Sequence, residues 1–221
     1  MPSFLALFEK HAAIALEKQW ALSELLGEHE WSLDLEDGII TFNQEQTFPV
    51  QVLGTESEQS HTWLWAWANT QSPTPAPLLT AAHQLSDFGK HHNIAEFTQA
   101  QHDLDSVTGH QLALLASSMC QADCYYCGPY DGGAIFVLID APILRSLLTN
   151  APLRMIEVFR QLISLFPLNH RRAFLAYCAW KGYTCKQQGQ QILAQHTSGA
   201  ELRASFDAMD RVADLEITVR G

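Results

Sequence analysis

Three of the chain's six tryptophans fall in one run, Thr62-Trp63-Leu64-Trp65-Ala66-Trp67-Ala68-Asn69. No other stretch restricts the possible fold as much. Side chains alternate across an extended strand, so Trp63, Trp65 and Trp67 would share one face, with Leu64, Ala66 and Ala68 on the other. Both faces are apolar, which predicts a central strand covered on each side. Each indole buries about 150–250 Å² and brings one N–H that needs an acceptor. The three rings can be core, or they can line a ligand cleft with Asn69 at its rim. Asn69 is equally suited to open the turn that follows.

The remaining elements follow from periodicity and punctuation. Phe4, Leu5, Phe8, Ala12, Leu16, Trp20 and Leu25 recur at helical spacing, with Ser3 as a candidate N-cap and Gly27 as C-cap, and predict an amphipathic helix over residues 3–26. Trp31, Leu33 and Leu35 alternate with polar residues, and Asp37-Gly38 is a hairpin turn into Ile39–Phe42. Phe48–Leu53 and Thr62–Ala68 read as a second pair across a polar loop, Gly54–Ser60. Three prolines stiffen residues 70–77. Helices are expected over Leu78–Phe88, closed by Gly89, and over Ser106–Met119, capped by Asp103 or Asp105. Phe97 begins a short strand on this reading. Asp131-Gly132 turns into Ala134–Ile139, an apolar run that reads as central. Residues 142–166 read as helical with a break at Asn150-Ala151-Pro152, and Asn169 caps a helix through Trp180 that Gly182 ends. Tyr183–Gln188, Gln190–Gln195, Ala200–Phe206 and Val212–Val219 read as strands. Strand groups at both ends with a helical middle predict an α+β fold with antiparallel meanders. A single domain over residues 1–221 is the expectation, with two similar halves divided near residues 70–100 as the alternative.

The charge balance, 24 acidic against 13 basic residues, gives a net charge of −11. Such a surface repels phosphate backbones, so nucleic acid is not an expected partner. No apolar run approaches the roughly 18–20 residues of a membrane span. The first residues lack the basic start and cleavage site of a secretory signal, and five cysteines is an odd number. These features predict a cytoplasmic protein with reduced thiols and no membrane partner.

Cys120-Gln121-Ala122-Asp123-Cys124-Tyr125-Tyr126-Cys127 has the spacing Cys-x3-Cys-x2-Cys. It resembles the iron–sulfur motif of the radical S-adenosylmethionine enzymes, in which three thiolates leave one iron open for cofactor. In that family the motif opens a long parallel βα barrel, whereas here only 94 residues follow it, and they end in strands. If residues 124–129 form a hairpin arm, Cys124 and Cys127 point to opposite faces and cannot share a metal. Gly128-Pro129 and Asp131-Gly132 favour that arm. On a continued helix the cysteines would instead close a seam of small residues. His83, Asp87 and His91 are spaced four apart, but Gly89 interrupts the expected helix, so no metal is assigned. Catalytic signatures such as a nucleophile elbow, a phosphate loop and His-Glu-x-x-His do not occur.

Trp-Leu-Trp-Ala-Trp-Ala-Asn, Cys-Tyr-Tyr-Cys-Gly-Pro-Tyr-Asp-Gly-Gly and the closing Ser-Phe-Asp-Ala-Met-Asp-Arg-Val together resemble an uncharacterised bacterial family, a domain of unknown function. The resemblance would cover nearly the whole chain, and it implies a bacterial, cytosolic protein without handing over an activity. From the residues, the expected function is a non-catalytic module binding a small apolar or aromatic ligand, or a partner protein. Trp63, Trp65, Trp67 and Tyr130 would supply contact surface, Asn69 would be the polar handle, and no cofactor is expected. Tyr125, Tyr126 and Tyr130 beside Gly128 would face the tryptophans and complete an aromatic cleft. The alternative is an enzyme using Cys120, Cys124 and Cys127, through iron–sulfur or thiol redox chemistry. A structural partner in a complex is a third reading, favoured by any uncharged apolar surface along Leu153–Phe166.

Overall fold

The computed structural model describes residues 1–219. The fold class is α+β, with antiparallel sheets and helices. Two compact units emerge: Met1–Phe4 with Lys18–Leu147, and Leu5–Glu17 with the chain from Leu148 onward. Helix α1, Phe4–Leu26, therefore contributes residues to both. It is not the one-striped helix that the spacing predicts. Burial is continuous from Ala12 to Glu17, and Glu9 and Glu17 lie inside while Leu5 is 47% exposed.

The first unit is built on strands β1 (Trp31–Asp34), β2 (Ile39–Phe42), β3 (Gln46–Ser57), β4 (Thr62–Trp65), β5 (Gln101–Asp103), β6 (Cys124–Tyr130) and β7 (Gly133–Ile139). Strands β1 to β5 pair in chain order, β7 adds to β3, and β6 adds to β7. Both neighbours of β7 are antiparallel, which suits its unbroken apolar sequence. Helices α2 (Thr80–His92), α3 (Ala95–Thr98) and α4 (Gly109–Met119) complete this unit.

Several local expectations are corrected. Residues 54–57 are not loop: β3 continues through them and pairs with both β4 and β7. Gly54 serves packing there, because a Cβ at this position would collide with the Trp63 ring and the Leu64 carbonyl. The tryptophan strand stops at Trp65, and Ala66–Ala68 form a 3-10 turn closed by Asn69 N–H donating to Ala66 O. Gly89 does not end its helix. It lies inside α2 where a Cβ would touch Phe97, and Asn93, at φ 56°, provides the left-handed cap. Phe97 sits in the one-turn helix α3 rather than a strand. The cap of α4 is Thr108, in a reciprocal capping box with Gln111, rather than an aspartate.

The second unit holds α5 (Pro152–Leu165), α6 (His170–Trp180) and a meander of β8 (Thr184–Gln188), β9 (Gln191–Gln195), β10 (Ala200–Phe206) and β11 (Val212–Val219) in the order β11-β10-β9-β8. The inner face presents Ile192, Ala194, Leu202, Ala204 and Phe206, all buried. Phe206 meets Phe174 edge to face at 6.1 Å, and Phe174 meets Phe159 at 5.3 Å. Charge is buried here too. Glu17, fully buried, accepts from Lys181 at 2.9 Å and from Tyr177 at 2.8 Å, with Arg154 at 3.5 Å. Glu9 accepts from Arg172 at 2.7 Å and from the Asn169 N–H at 2.9 Å. No helix among the described residues is long and apolar enough to cross a membrane.

Candidate functional site

The predicted tryptophan wall resolves into two core rings and one ring outside the strand. Trp63 and Trp65 are fully buried and meet edge to face at 5.4 Å. Trp63 also packs on Phe136 at 5.3 Å, and Trp65 on Phe97 at 6.3 Å. Trp65 Nε1 donates to Glu96 O at 3.0 Å, while Trp63 Nε1 and Trp67 Nε1 have no acceptor among the described residues. Trp67 lies on the 3-10 turn, half-buried. Asn69 uses its side-chain oxygen to accept from the N–H groups of Gln71 and Ser72 at 3.1 Å, which is the turn role. Tyr130 is 48% exposed at the end of the β6–β7 hairpin. These five residues do not converge on one cleft.

Nor do the three cysteines form a ligand set. Cys120 ends α4, whereas Cys124 and Cys127 lie three apart on β6 and so on opposite faces. Burial pushes the Cys120 thiol up to about 12 and the Cys127 thiol to about 11, the latter with help from Glu56. Cys124 is raised further by burial and by the Asp123 charge. None of the three is a poised nucleophile. His83, Asp87 and His91 all point to solvent from α2, and Asp87 pairs with Lys90 at 2.9 Å. Among the described residues, His61, Asp103 and Asp105 approach one another, but all three are exposed.

Among the described residues, the first unit holds two concave sites that bear on the aromatic and cysteine residues. The larger, about 400 Å³, is lined by Val50, Gln51, Ala81, Cys120, Leu138, Asp140 and Arg145 among others. Its Gln51 and Arg145 side chains are already engaged. Gln51 donates to Pro77 O and accepts from Ala81 N. Arg145 forks onto the buried Asp123 at 2.6 and 3.0 Å, and Asp123 also accepts from Ala141 N at 2.9 Å.

The smaller, about 240 Å³, is lined by Gln19, Leu22, Ser23, Leu26, His29, His110, Tyr125, Tyr126 and Cys127. Strand β6 pairs only with β7, so its other edge is open to capture. Gln19 covers that edge: turned with its amide nitrogen toward Tyr125 O, it makes two 2.9 Å bonds to the Tyr125 backbone. Leu22 and Leu26 follow at helical spacing and give the cleft its apolar wall.

Two imidazole–phenol pairs flank it. The buried Tyr125 hydroxyl stands 2.8 Å from His110 Nδ1. Burial raises the Tyr125 pKa and lowers that of His110, so a neutral phenol stands beside a neutral imidazole, and the imidazole tautomer sets which of the two donates. In the tautomer that accepts from Tyr125 at Nδ1, His110 Nε2 carries the ring hydrogen. His29 Nδ1 lies 2.8 Å from Gly27 O, which can only accept, so in the neutral ring Nε2 accepts from Tyr126 at 3.1 Å. Tyr126 is held by rings: Phe42 at 4.9 Å, Trp31 at 5.6 Å and His29 at 5.7 Å. Gly128 allows this approach, since a Cβ there would stand 2.6 Å from the Trp31 ring.

Tyr125 and Tyr126 thus share a cleft with His29 and His110 rather than with the tryptophans of β4, and Trp31 packs against Tyr126. The missed signal was Trp31, placed with β1 by alternation and brought to β6 only by the tertiary fold. No curated protein and no solved structure matches the chain. A family model matches residues 5–142, a span that takes in the tryptophan run and the Cys-Tyr-Tyr-Cys stretch but not Ser205–Val212. The chain thus belongs to the family described as Family of unknown function (DUF6882).

Proposed function

We propose that the chain is a non-catalytic binding module that takes a small, neutral, aromatic or apolar ligand in the tyrosine cleft. One observation carries this reading. In a chain of net charge −11, the nine lining residues include no Asp, Glu, Lys or Arg. The Cys127 thiol, raised to about 11, stays neutral as well. A charged ligand would lose its hydration with no charged side chain lining the cleft to replace it, whereas a neutral ring would gain apolar contact and one hydrogen bond at His110. The volume, about 240 Å³, falls below the roughly 300–1,000 Å³ of pockets for drug-sized molecules, so the fit is to a single or fused small ring.

Indole and phenol serve as neutral probes, with benzoate and benzylamine as charged counterparts. Thermal stabilisation of the wild-type chain by the neutral pair, lost in Tyr126→Ala and weakened in His110→Ala, supports the reading. Equal responses to all four probes, or stabilisation unchanged in both variants, would overturn it.

A protein partner is the second reading, and Trp180 favours it. This indole is 51% exposed beside a depression of about 380 Å³ lined by Lys10, Ala176 and Ala179. The outer face of α5 does not contribute comparably, because Glu157 and Arg160 separate the exposed Leu153 and Leu165.

A further inference from the structure

The two cysteines outside the Cys-x3-Cys-x2-Cys stretch are brought together by the fold. Helix α6 ends in a Schellman turn: Gly182, at φ 76°, donates its N–H to Ala179 O, and Tyr183 donates to Cys178 O at 2.9 Å. The chain reverses there, and Cys185 returns along β8 past the last turn of α6. Cross-strand partners share a face, and the row through Cys185 runs to Ala194 and Leu202, both buried. Cys185 is thus on the inner face, toward the helices. Because β8 is an edge strand, that face is still half open at Cys185. Cys178 is fully buried at the end of α6, and the two thiols are near enough to perturb each other's ionisation.

From this juxtaposition we infer that Cys178 and Cys185 are a site of reversible oxidative modification, with Cys185 as the attacking sulfur and Cys178 as the resolving one. The oxidant is a peroxide. The Cys185 sulfur attacks one peroxide oxygen: an S–O bond forms, the O–O bond breaks, and water leaves. The peroxide is reduced by two electrons and Cys185 becomes a sulfenic acid. Cys178 then attacks that sulfur: the S–S bond forms, the S–O bond breaks, and the Cys178 proton leaves with the hydroxide as a second water. A dithiol reductant reverses the result by exchange. The contrast with the other cysteines supports the assignment. Cys185 is shifted downward by the neighbouring Cys178 side chain, whereas Cys120, Cys124 and Cys127 are all shifted upward by burial. This proposal does not depend on the tyrosine cleft.

The test is peptide mapping of the native full chain after hydrogen peroxide, with free thiols alkylated before and after denaturation. A Cys178–Cys185 linked peptide is expected, lost on treatment with dithiothreitol, while Cys120, Cys124 and Cys127 remain thiols. In Cys178→Ser, Cys185 should stop at the sulfenic acid and take up dimedone. In Cys185→Ser the linked peptide should vanish. The proposal is overturned if the folded wild-type chain keeps both as separate thiols, or if peroxide modifies Cys120 or Cys127 first. It is also overturned if dimedone labels another cysteine in Cys178→Ser.

Discussion

Gly54 lies against the indole of Trp63 so closely that a Cβ would stand 2.5 Å from the ring. The ring is fully buried. Gly54→Ala should therefore destabilise the first unit by about 1–3 kcal/mol, the range for overpacking a filled core. Urea unfolding followed by tryptophan fluorescence measures this, as a lower midpoint with an unchanged slope.

Trp65 distinguishes core from recognition surface. Trp65→Phe keeps most of the buried ring and leaves Glu96 O without the indole donor. Glu96 O keeps His102 Nε2 as a donor at 2.9 Å, so the expected cost is that of one lost hydrogen bond, about 0.5–1.5 kcal/mol. Indole and phenol should still stabilise this variant as they do the wild type, because the cleft is lined from α1, α4, β6 and His29 rather than from β4.

Much of the fold was legible because local chemistry and tertiary structure agree. Asp37-Gly38, Asp131-Gly132, Asn169 and Gly182 act as written, and β8 to β11 follow the predicted spans. The failures share one cause. Gly54 and Gly89 are glycines because another chain segment approaches them, and nothing in the neighbouring residues reveals that. Glu9 and Glu17 look like solvated carboxylates until Arg172 and Lys181, more than 160 positions away, arrive to pair with them. The cleft was half legible for the same reason. Tyr125 and Tyr126 are visible as a pair, but His29, His110 and Trp31 join them only through long-range contacts. Cys178 and Cys185 were passed over because no motif spans a helix end and the following strand.

Acid should weaken the protein partly through Asp123. Burial opposes its ionisation, but the Arg145 guanidinium, the Asp140 hydrogen bond and the Ala141 N–H outweigh burial and hold its pKa below the usual value. A carboxylate depressed in the folded state stabilises above its unfolded pKa, about 3.9, and loses that contribution as pH falls through the folded value. Asp140 has the opposite sign: its hydrogen bond with Asp123 raises it, so its contribution is lost as pH rises through the folded value. Urea midpoints of the wild type should exceed those of Asp123→Asn at neutral pH and converge with them in strong acid. Asp140→Asn should gain on the wild type as pH rises from acid.

The buried Glu17 cluster should be costly to break from one side. Glu17→Ala leaves Lys181 buried without its partner and Tyr177 without its acceptor, which predicts a loss of about 3–5 kcal/mol. Lys181→Met should cost less, since Arg154 and Tyr177 still face the carboxylate. Chemical denaturation of the two variants side by side gives the order.

The most direct measurement is tyrosine-resolved NMR of the chain labelled with 13C at the phenol rings, titrated with indole. Tyr125 and Tyr126 signals should shift in a saturable manner, with Tyr130 and Tyr177 unmoved, and benzoate should leave all of them in place. Shifts absent at Tyr125 and Tyr126, or appearing equally with benzoate, would contradict the tyrosine cleft as the binding site.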